Sequence, residues 1–105
     1  MTLQSEFHSL LNQTDHEGID FLDLYIDDFS AYPMIIFDCF IRARKRGDEA
    51  LAILGQILNQ LAVSTGRPIR HQTIPIHGGS IKLFERHSEY RRTEDPITTY
   101  ARDFP

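Results

Sequence analysis

The 105-residue sequence contains one cysteine, Cys39, so an intramolecular disulfide is excluded. Cys39 lies among apolar residues, which predicts a buried thiol, because a reactive thiol needs exposure and a positively charged setting. No apolar run approaches the roughly 20 residues that a membrane-spanning helix requires. The first six residues also lack the basic start and apolar core of a secretory signal. We therefore expect a cytoplasmic protein without a membrane partner.

Lysine and arginine are absent from residues 1–33, which contain seven Asp or Glu residues. Residues 34–105 contain eleven Lys or Arg and eight Asp or Glu, so the net charge of −4 is unevenly spread. Such asymmetry predicts one acidic surface and one mildly basic surface. The length, a hydrophobic fraction of 41% and a charged fraction of 25% predict a single ordered domain over residues 1–105.

The spacing of apolar residues, with capping residues and Gly or Pro at the boundaries, predicts a largely helical chain. The predicted helices cover residues 3–12, 15–30, 34–46, 49–64 and 96–103. Gly78-Gly79 lies between two alternating runs and predicts a C-terminal β-hairpin, with strands at about 69–77 and 80–87. The predicted fold class is therefore α+β, with helices packed against a hairpin.

Segment 34–46 leaves two interpretations open, because its apolar residues lie all round a helical wheel. Pro33 at a first helical position and Gly47 beyond the end favour a helix. Three Ile and two Phe favour a strand. With a strand at 34–41, the chain would form a βαββ unit, and helix 49–64 would cover one face of a small sheet.

The most organised polar feature of the predicted fold is acidic. On a helix at 15–30, Asp20, Asp23 and Asp27 fall on one narrow stripe, with Asp28 beside it. Such a stripe attracts a basic partner surface, although a solvated helix face is the simpler interpretation. We predict a non-enzymatic protein-binding module that captures a protein with a basic surface through these four residues. An inhibitor of the immunity-protein or antitoxin type has this general character, without a shared motif.

The predicted hairpin carries an alternative site. One of its faces would hold His71, His77, Lys82, Phe84 and Arg86. Lys and Arg bind phosphate and an aromatic ring stacks on bases, so nucleic-acid association is the alternative function. A third hypothesis is a small enzyme in which His71 or His77 performs acid–base catalysis. An ordinary solvated sheet face accounts for the same residues, and no nucleophile–base pair is visible.

Other candidate sites are less specific. No spacing of His, Cys or carboxylates matches a zinc or calcium signature, so we predict neither a metal nor a cofactor. A homodimer is compatible with the uncharged face of helix 49–64 and with the strand edge at Pro75, but neither feature requires one. A basic run is interpreted as the C-terminal end of the third helix, where cations complement the dipole. Its residues are Arg42, Arg44, Lys45 and Arg46.

Overall fold

The computed structural model describes residues 2–28, 33–75, 78–93 and 99–105. These residues form the predicted α+β class of fold, with three helices packed on a five-stranded mixed sheet. The elements are α1 (Leu3–Asn12), β1 (Ile19–Asp27), β2 (Ile35–Ala43), α2 (Gly47–Thr65), β3 (Ile69–Thr73), α3 (Gly78–Arg86), β4 (Arg91–Arg92) and β5 (Tyr100–Phe104). The strand order is β1-β2-β3-β5-β4. Strands β2 and β3 are parallel, and the other neighbouring pairs are antiparallel.

The first predicted helix is confirmed, because α1 covers the same ten residues. It begins after Thr2, whose hydroxyl accepts a hydrogen bond from the Ser5 amide at 3.1 Å. Such an N-cap satisfies one of the amides that the first turn leaves without an acceptor. The apolar stripe of α1 is buried at Phe7 and Leu11, which belong to the main core.

The predicted helix at 49–64 is confirmed as α2. It ends at Gly66, whose φ of 68° is left-handed and whose amide donates to the Ala62 carbonyl at 3.0 Å. Glycine adopts this conformation without steric cost, which explains the stop. At the other end the prediction is two residues late, because α2 begins after Arg46 and Asp48 lies in its first turn.

The predicted helix at 15–30 is wrong, since most of the segment forms strand β1. Its last two residues lie outside the described part of the chain. Ile19 and Phe21 are buried, whereas Asp20 and Leu22 are exposed. This two-residue period is that of a strand with one face on the core.

A β-bulge in β1 explains why its sequence imitates a helix. Between Leu22 and Tyr25 the register against β2 shifts, and Asp23 has a φ of 50°. The extra residue moves the core-facing positions to Leu24 and Ile26, which pack against the main core. The spacing of core-facing residues therefore widens once in mid-strand, and the resulting pattern resembles helical periodicity.

Strand β2 confirms the alternative interpretation of segment 34–46, and the preferred helix there is wrong. Ile35, Phe37 and Cys39 are buried, so the prediction of a buried thiol is also confirmed. β2 lies between β1 and β3 and turns these three residues towards the core, whereas Phe40 on its opposite face is 39% exposed. Gly47 does not follow a helix but is the first residue of α2.

The hairpin predicted at 69–77 and 80–87 is present only in part. Its first strand corresponds to β3, but its second strand is wrong because that segment forms helix α3. The βαββ alternative is therefore confirmed only as far as β3. The alternation around Lys82 fits a strand, but Leu83 and Phe84 both pack towards α2, as adjacent helical residues do. An antiparallel C-terminal pair does exist, formed by β4 and β5.

The predicted helix at 96–103 is wrong over its described part, which lies in strand β5. Its beginning, 96–98, lies outside the described residues. Tyr100 and Phe104 are four positions apart, a separation that fits one face of a helix and one face of a strand equally well. Ala101 is fully buried in β5, which is paired with β3 on one side and with β4 on the other.

Two adjoining clusters form the core on the face of the sheet that α1 and α2 cover. The larger cluster, called the main core above, joins α1, α2 and the first three strands around Phe7, Phe37 and Leu54. The smaller cluster lies near the N-terminal end of α2 and includes side chains from α3 and β5. Its buried members are Leu51, Phe84, Tyr90 and Tyr100. None of the described helices is long and apolar enough to cross a membrane.

Candidate functional site

The parallel strands β2 and β3 are paired over a short stretch that ends with the pair Phe37 and His71. Beyond this pair, β2 continues to Ala43 against β1, and β3 continues to Thr73 against β5. The two strands therefore part towards their carboxyl ends. In open sheets, ligand sites commonly form at such a position.

A cleft of about 610 Å³ occupies the opening between the two strands. We call it the β2–β3 cleft; helix α3 forms its third wall. Its apolar wall includes Ile41, Ile74 and Leu83, and its polar groups include the hydroxyls of Thr73 and Ser80. A mainly apolar space of this volume with a few polar groups is typical of small-molecule sites.

The turn between β2 and α2 places part of the basic run at this cleft. Arg44 and Lys45 line it and are exposed, and neither has an ion-pair partner within the described residues. Arg42 and Arg46, by contrast, are each paired with a carboxylate. The interpretation of this run as the end of a helix is wrong, because it precedes the N-terminus of α2. There its charges add to the positive end of the helix dipole.

The first turn of α2 contributes amide groups to the same rim. Gly47 and Asp48 line the cleft, and the N-cap residue Arg46 provides no side-chain hydrogen bond to this turn. Uncapped first-turn amides attract anions. Asp48 and Glu49 oppose that attraction, but both carboxylates are engaged by arginines. The uncompensated charge of the rim is therefore that of Arg44 and Lys45.

Helix α3 is tied to α2 beside the cleft. Asp48 accepts hydrogen bonds from Arg86 at 3.1 Å and from His87 Nε2 at 2.7 Å. Both bonds lower the pKa of the Asp48 carboxyl, and the bond from His87 has the larger effect. Leu83 packs so closely that a Cβ atom at Gly47 would lie 3.0 Å from its Cδ2.

A polar chain begins where β2 and β3 part. His71 is completely buried, and its Nδ1 lies 2.6 Å from the Tyr90 hydroxyl. Its Nε2 has no hydrogen-bond partner among the described residues and lies 3.9 Å from Asp38 Oδ1. Asp38 accepts a hydrogen bond from the Cys39 amide at 2.8 Å and is also bonded to the Thr73 side chain. The chain Thr73–Asp38–His71–Tyr90 therefore runs from the cleft wall into the core.

Burial controls the protonation of this chain. It lowers the pKa of His71 to about 3, with a further contribution from the charge of Arg102, so His71 is neutral. Burial raises the pKa of Asp38, although its bonds to Thr73 and the Cys39 amide act in the opposite direction. Burial likewise raises the pKa values of the Tyr90 hydroxyl and the Cys39 thiol.

The four carboxylates of the predicted acidic stripe are not on a helix. Asp20 and Asp23 are exposed on β1, and Asp27 and Asp28 are half-buried at its end. Asp20 is paired with Arg42 at 2.9 Å. The β1 backbone brings the acids to one edge of the sheet, with Asp23 at the bulge. The stripe is therefore replaced by a looser acidic edge.

The predicted hairpin face does not exist as one surface. His71 and Phe84 are buried, and His77 lies outside the described residues. Lys82 and Arg86 are exposed on α3. Among these five, Phe84 and Arg86 both line the β2–β3 cleft. The residue types that suggested nucleotide or nucleic-acid binding are thus partly present in a different arrangement.

Sequence reasoning did not assign the Arg44–Gly47 turn, Asp38, Thr73 or Tyr90 to a site. The turn carried a recognisable signal, because a basic run followed by glycine and a strong helix also fits a strand–turn–helix anion site. Placing segment 34–46 in a helix concealed that signal. The contact between His71 and Tyr90 gave no signal, since it depends on the path of the chain around α3.

Comparison with known proteins identifies no relative of this chain. No family model, no curated protein and no solved structure matches the chain. Among the described residues, no group of three His, Cys, Asp or Glu side chains is arranged to hold a metal ion. Interpretation of the site therefore depends on its own geometry and charge.

Proposed function

We propose that the protein binds a phosphate-bearing small molecule in the β2–β3 cleft. The observation that carries this proposal is the position of Arg44 and Lys45, two cations without carboxylate partners among the described residues, at the rim of a largely apolar cleft. The phosphate group would bind these side chains and the first-turn amides of α2. An uncharged part of the ligand would fill the space between the strands.

Several features support a nucleotide-like ligand over a simple anion. The cleft is far larger than a phosphate group, and Phe84 and Ile74 offer apolar surface in it. Arg86 also lines the cleft, but its charge is already shared with Asp48. Ligands that combine phosphate with an uncharged group use both parts of such a site. In place of the predicted nucleic-acid association, we therefore propose a nucleotide-sized ligand.

Calorimetric titration with inorganic pyrophosphate and with adenosine diphosphate at low salt tests this proposal. We expect both to bind and the nucleoside diphosphate to bind more tightly, because only it occupies the apolar space. Lys45→Gln should weaken binding by about tenfold, the loss of one charged hydrogen bond. Lys82→Gln is the matched control, since Lys82 is exposed on α3 and does not line the cleft. Equal effects of the two variants, or no binding, would reject the site.

The predicted protein-binding function remains a second candidate, with the acidic residues rearranged. Leu22 and Tyr25 are exposed at 37% and 57% on the outer side of β1, in the same strand as Asp20 and Asp27. Register pairing places Phe40, 39% exposed, opposite Leu22. Apolar side chains surrounded by acids suit a protein partner with a basic rim around an apolar centre. An inhibitor of the immunity-protein or antitoxin type would fit this description.

Affinity capture with charge-reversal variants tests the second candidate. The wild-type protein should capture a basic partner protein in a constant molar ratio. The double variant Asp23→Lys and Asp27→Lys should keep the fold and lose this partner. Glu85→Lys is the control, because Glu85 is exposed on α3, away from β1. Capture that survives the Asp23 and Asp27 variant, or is lost equally with the control, would exclude this surface.

A further inference from the structure

The buried Nε2 atom of His71 requires a physical explanation. Buried polar atoms in folded proteins nearly always have a hydrogen-bond partner, and an exception costs on the order of 1–3 kcal/mol. His71 is enclosed by the rings of Phe37, Phe84 and Tyr90, with ring centroids 5.4 to 6.5 Å away. These rings offer Nε2 no acceptor, and the carboxylate oxygen Oδ1 of Asp38 lies 3.9 Å from it.

The contacts of His71 with the Tyr90 hydroxyl and with Asp38 together favour one tautomer of its ring. A phenol is a good donor, and at 2.6 Å it can donate to Nδ1 of a neutral imidazole. The proton of the ring then lies on Nε2 and points towards the Asp38 carboxylate. A movement of about 1 Å would turn this contact into a normal hydrogen bond. Tyr90 thus prepares His71 to stabilise a charged Asp38.

Asp38 lies between this buried pair and the β2–β3 cleft. It directly follows Phe37, the last residue of β2 that pairs with β3, and its side chain is 40% exposed. Its two bonding partners, Thr73 and Cys39, both line the cleft. Asp38 itself does not line the cleft, so a ligand would act on it through Thr73. A ligand that binds the Thr73 hydroxyl would take this group from Asp38, and loss of the bond disfavours the charged carboxylate.

We propose that Asp38 is the acid–base group of the β2–β3 cleft, which takes up a proton when a ligand occupies the cleft, and that His71 is its positioning residue. This inference rests on the proposed ligand-binding function. The carboxylate takes up one proton from solvent, so its charge changes from −1 to 0 and the buffer supplies the proton.

The surroundings of Asp38 are consistent with this role. Burial already raises its pKa before a ligand binds. The buried Cys39 thiol and the Tyr90 hydroxyl are held neutral, and the positive charge of Arg102 acts on both His71 and Tyr90. Within the Thr73–Asp38–His71–Tyr90 chain, Asp38 is therefore the group whose pKa is shifted towards protonation at mildly acidic pH.

Calorimetry of adenosine diphosphate binding in two buffers of equal pH but different ionisation enthalpy measures the proton uptake. At pH 5 we expect the wild-type protein to take up a fraction of a proton for each ligand bound. The Asp38→Asn variant lacks the titrating group and should take up less. His71→Gln should change the amount of uptake while leaving the affinity within about threefold. Asp103→Asn is the control, because Asp103 is bonded to Arg70 on the far side of β3.

The outcomes separate this inference from the proposed function. Binding with proton uptake that is identical in the wild type and Asp38→Asn would overturn the role of Asp38 and leave the ligand site intact. An uptake that His71→Gln does not change would overturn the positioning role of His71. Failure of the nucleotide and of pyrophosphate to bind would overturn the proposed site and, with it, this inference.

Discussion

Asp48 on α2 and Arg86 on α3 form an ion pair at 3.1 Å that fixes α3 beside the β2–β3 cleft. The same carboxylate accepts a bond from His87, so one side chain holds both residues at the end of α3. No other described ion pair connects these two helices. This carboxylate therefore adds to the apolar packing of Leu83 and Phe84, which holds α3 as one wall of the cleft.

The dependence on Asp48 gives a pH prediction. His87 and Arg86 lower its pKa below the ordinary 3.8, so its contribution to stability is present above that value and is lost as pH falls through the folded-state pKa. Urea midpoints of the wild type and Asp48→Asn should therefore differ at pH 6 and converge towards pH 2. Asp20→Asn, which breaks an exposed pair elsewhere, is the control. A difference that persists undiminished at low pH would contradict this account.

His71 gives a second pH prediction, with the sign of a buried base. Its folded-state pKa of about 3 lies below the ordinary 6.5, so between these values the unfolded chain binds the extra proton. Stability should fall with decreasing pH by as much as about 1.4 kcal/mol per unit within this window. The wild type minus His71→Gln difference in unfolding free energy should show this slope from pH 6.5 downwards. A difference that does not vary with pH would mean that His71 is not held neutral by the fold.

Lys45 is expected to affect stability and ligand binding in opposite directions. Its φ of 58° is left-handed, which costs a residue with a Cβ atom on the order of 1 kcal/mol relative to glycine. Lys45→Gly should therefore stabilise the fold while it weakens pyrophosphate binding, because the cation is lost. Lys45→Gln separates the two effects, since it retains the Cβ atom and removes only the charge. A strained residue kept at a binding turn is typical of functional sites, and destabilisation by Lys45→Gly would disprove the strain.

The sequence predicted those elements whose signals were local and consistent. Helices α1 and α2 each combined an apolar stripe with a recognisable end, Thr2 for one and Gly66 for the other. Strand β1 was mistaken for a helix because the bulge at Asp23 changes the strand period in mid-course. Strand β5 was mistaken because Tyr100 and Phe104 fit both periods, and only pairing with two neighbours decides between them.

The site was less predictable than the fold, because its residues come from distant segments. The cleft exists only because β2 and β3 part after Phe37 and His71, and this divergence has no signature in either strand alone. The contact between His71 and Tyr90 joins residues separated by a complete helix. The cations of the β2–α2 turn were noticed as a run, but their role changed once the preceding segment proved to be a strand.

Gly55 on α2 offers a last test, of the packing between helix and sheet. A Cβ atom there would lie 3.0 Å from the Arg102 guanidinium, which also lies 4.5 Å above the ring of Phe104. Helix propensity favours Gly55→Ala by about 1 kcal/mol, whereas displacing Arg102 from the ring costs roughly 0.5–1 kcal/mol. In the wild type these effects should nearly cancel, because the guanidinium is the flexible end of its side chain.

A double-mutant cycle separates the two contributions at Gly55. In an Arg102→Ala background nothing opposes the propensity gain, so Gly55→Ala should stabilise the protein by about 1 kcal/mol in urea unfolding. The coupling free energy between the two positions would then be at least about 0.5 kcal/mol. If Gly55→Ala has the same effect in both backgrounds, Arg102 does not pack against α2 as the structure describes. Since the charge of Arg102 adds to burial in lowering the pKa of His71, Arg102→Ala should also make His71 easier to protonate.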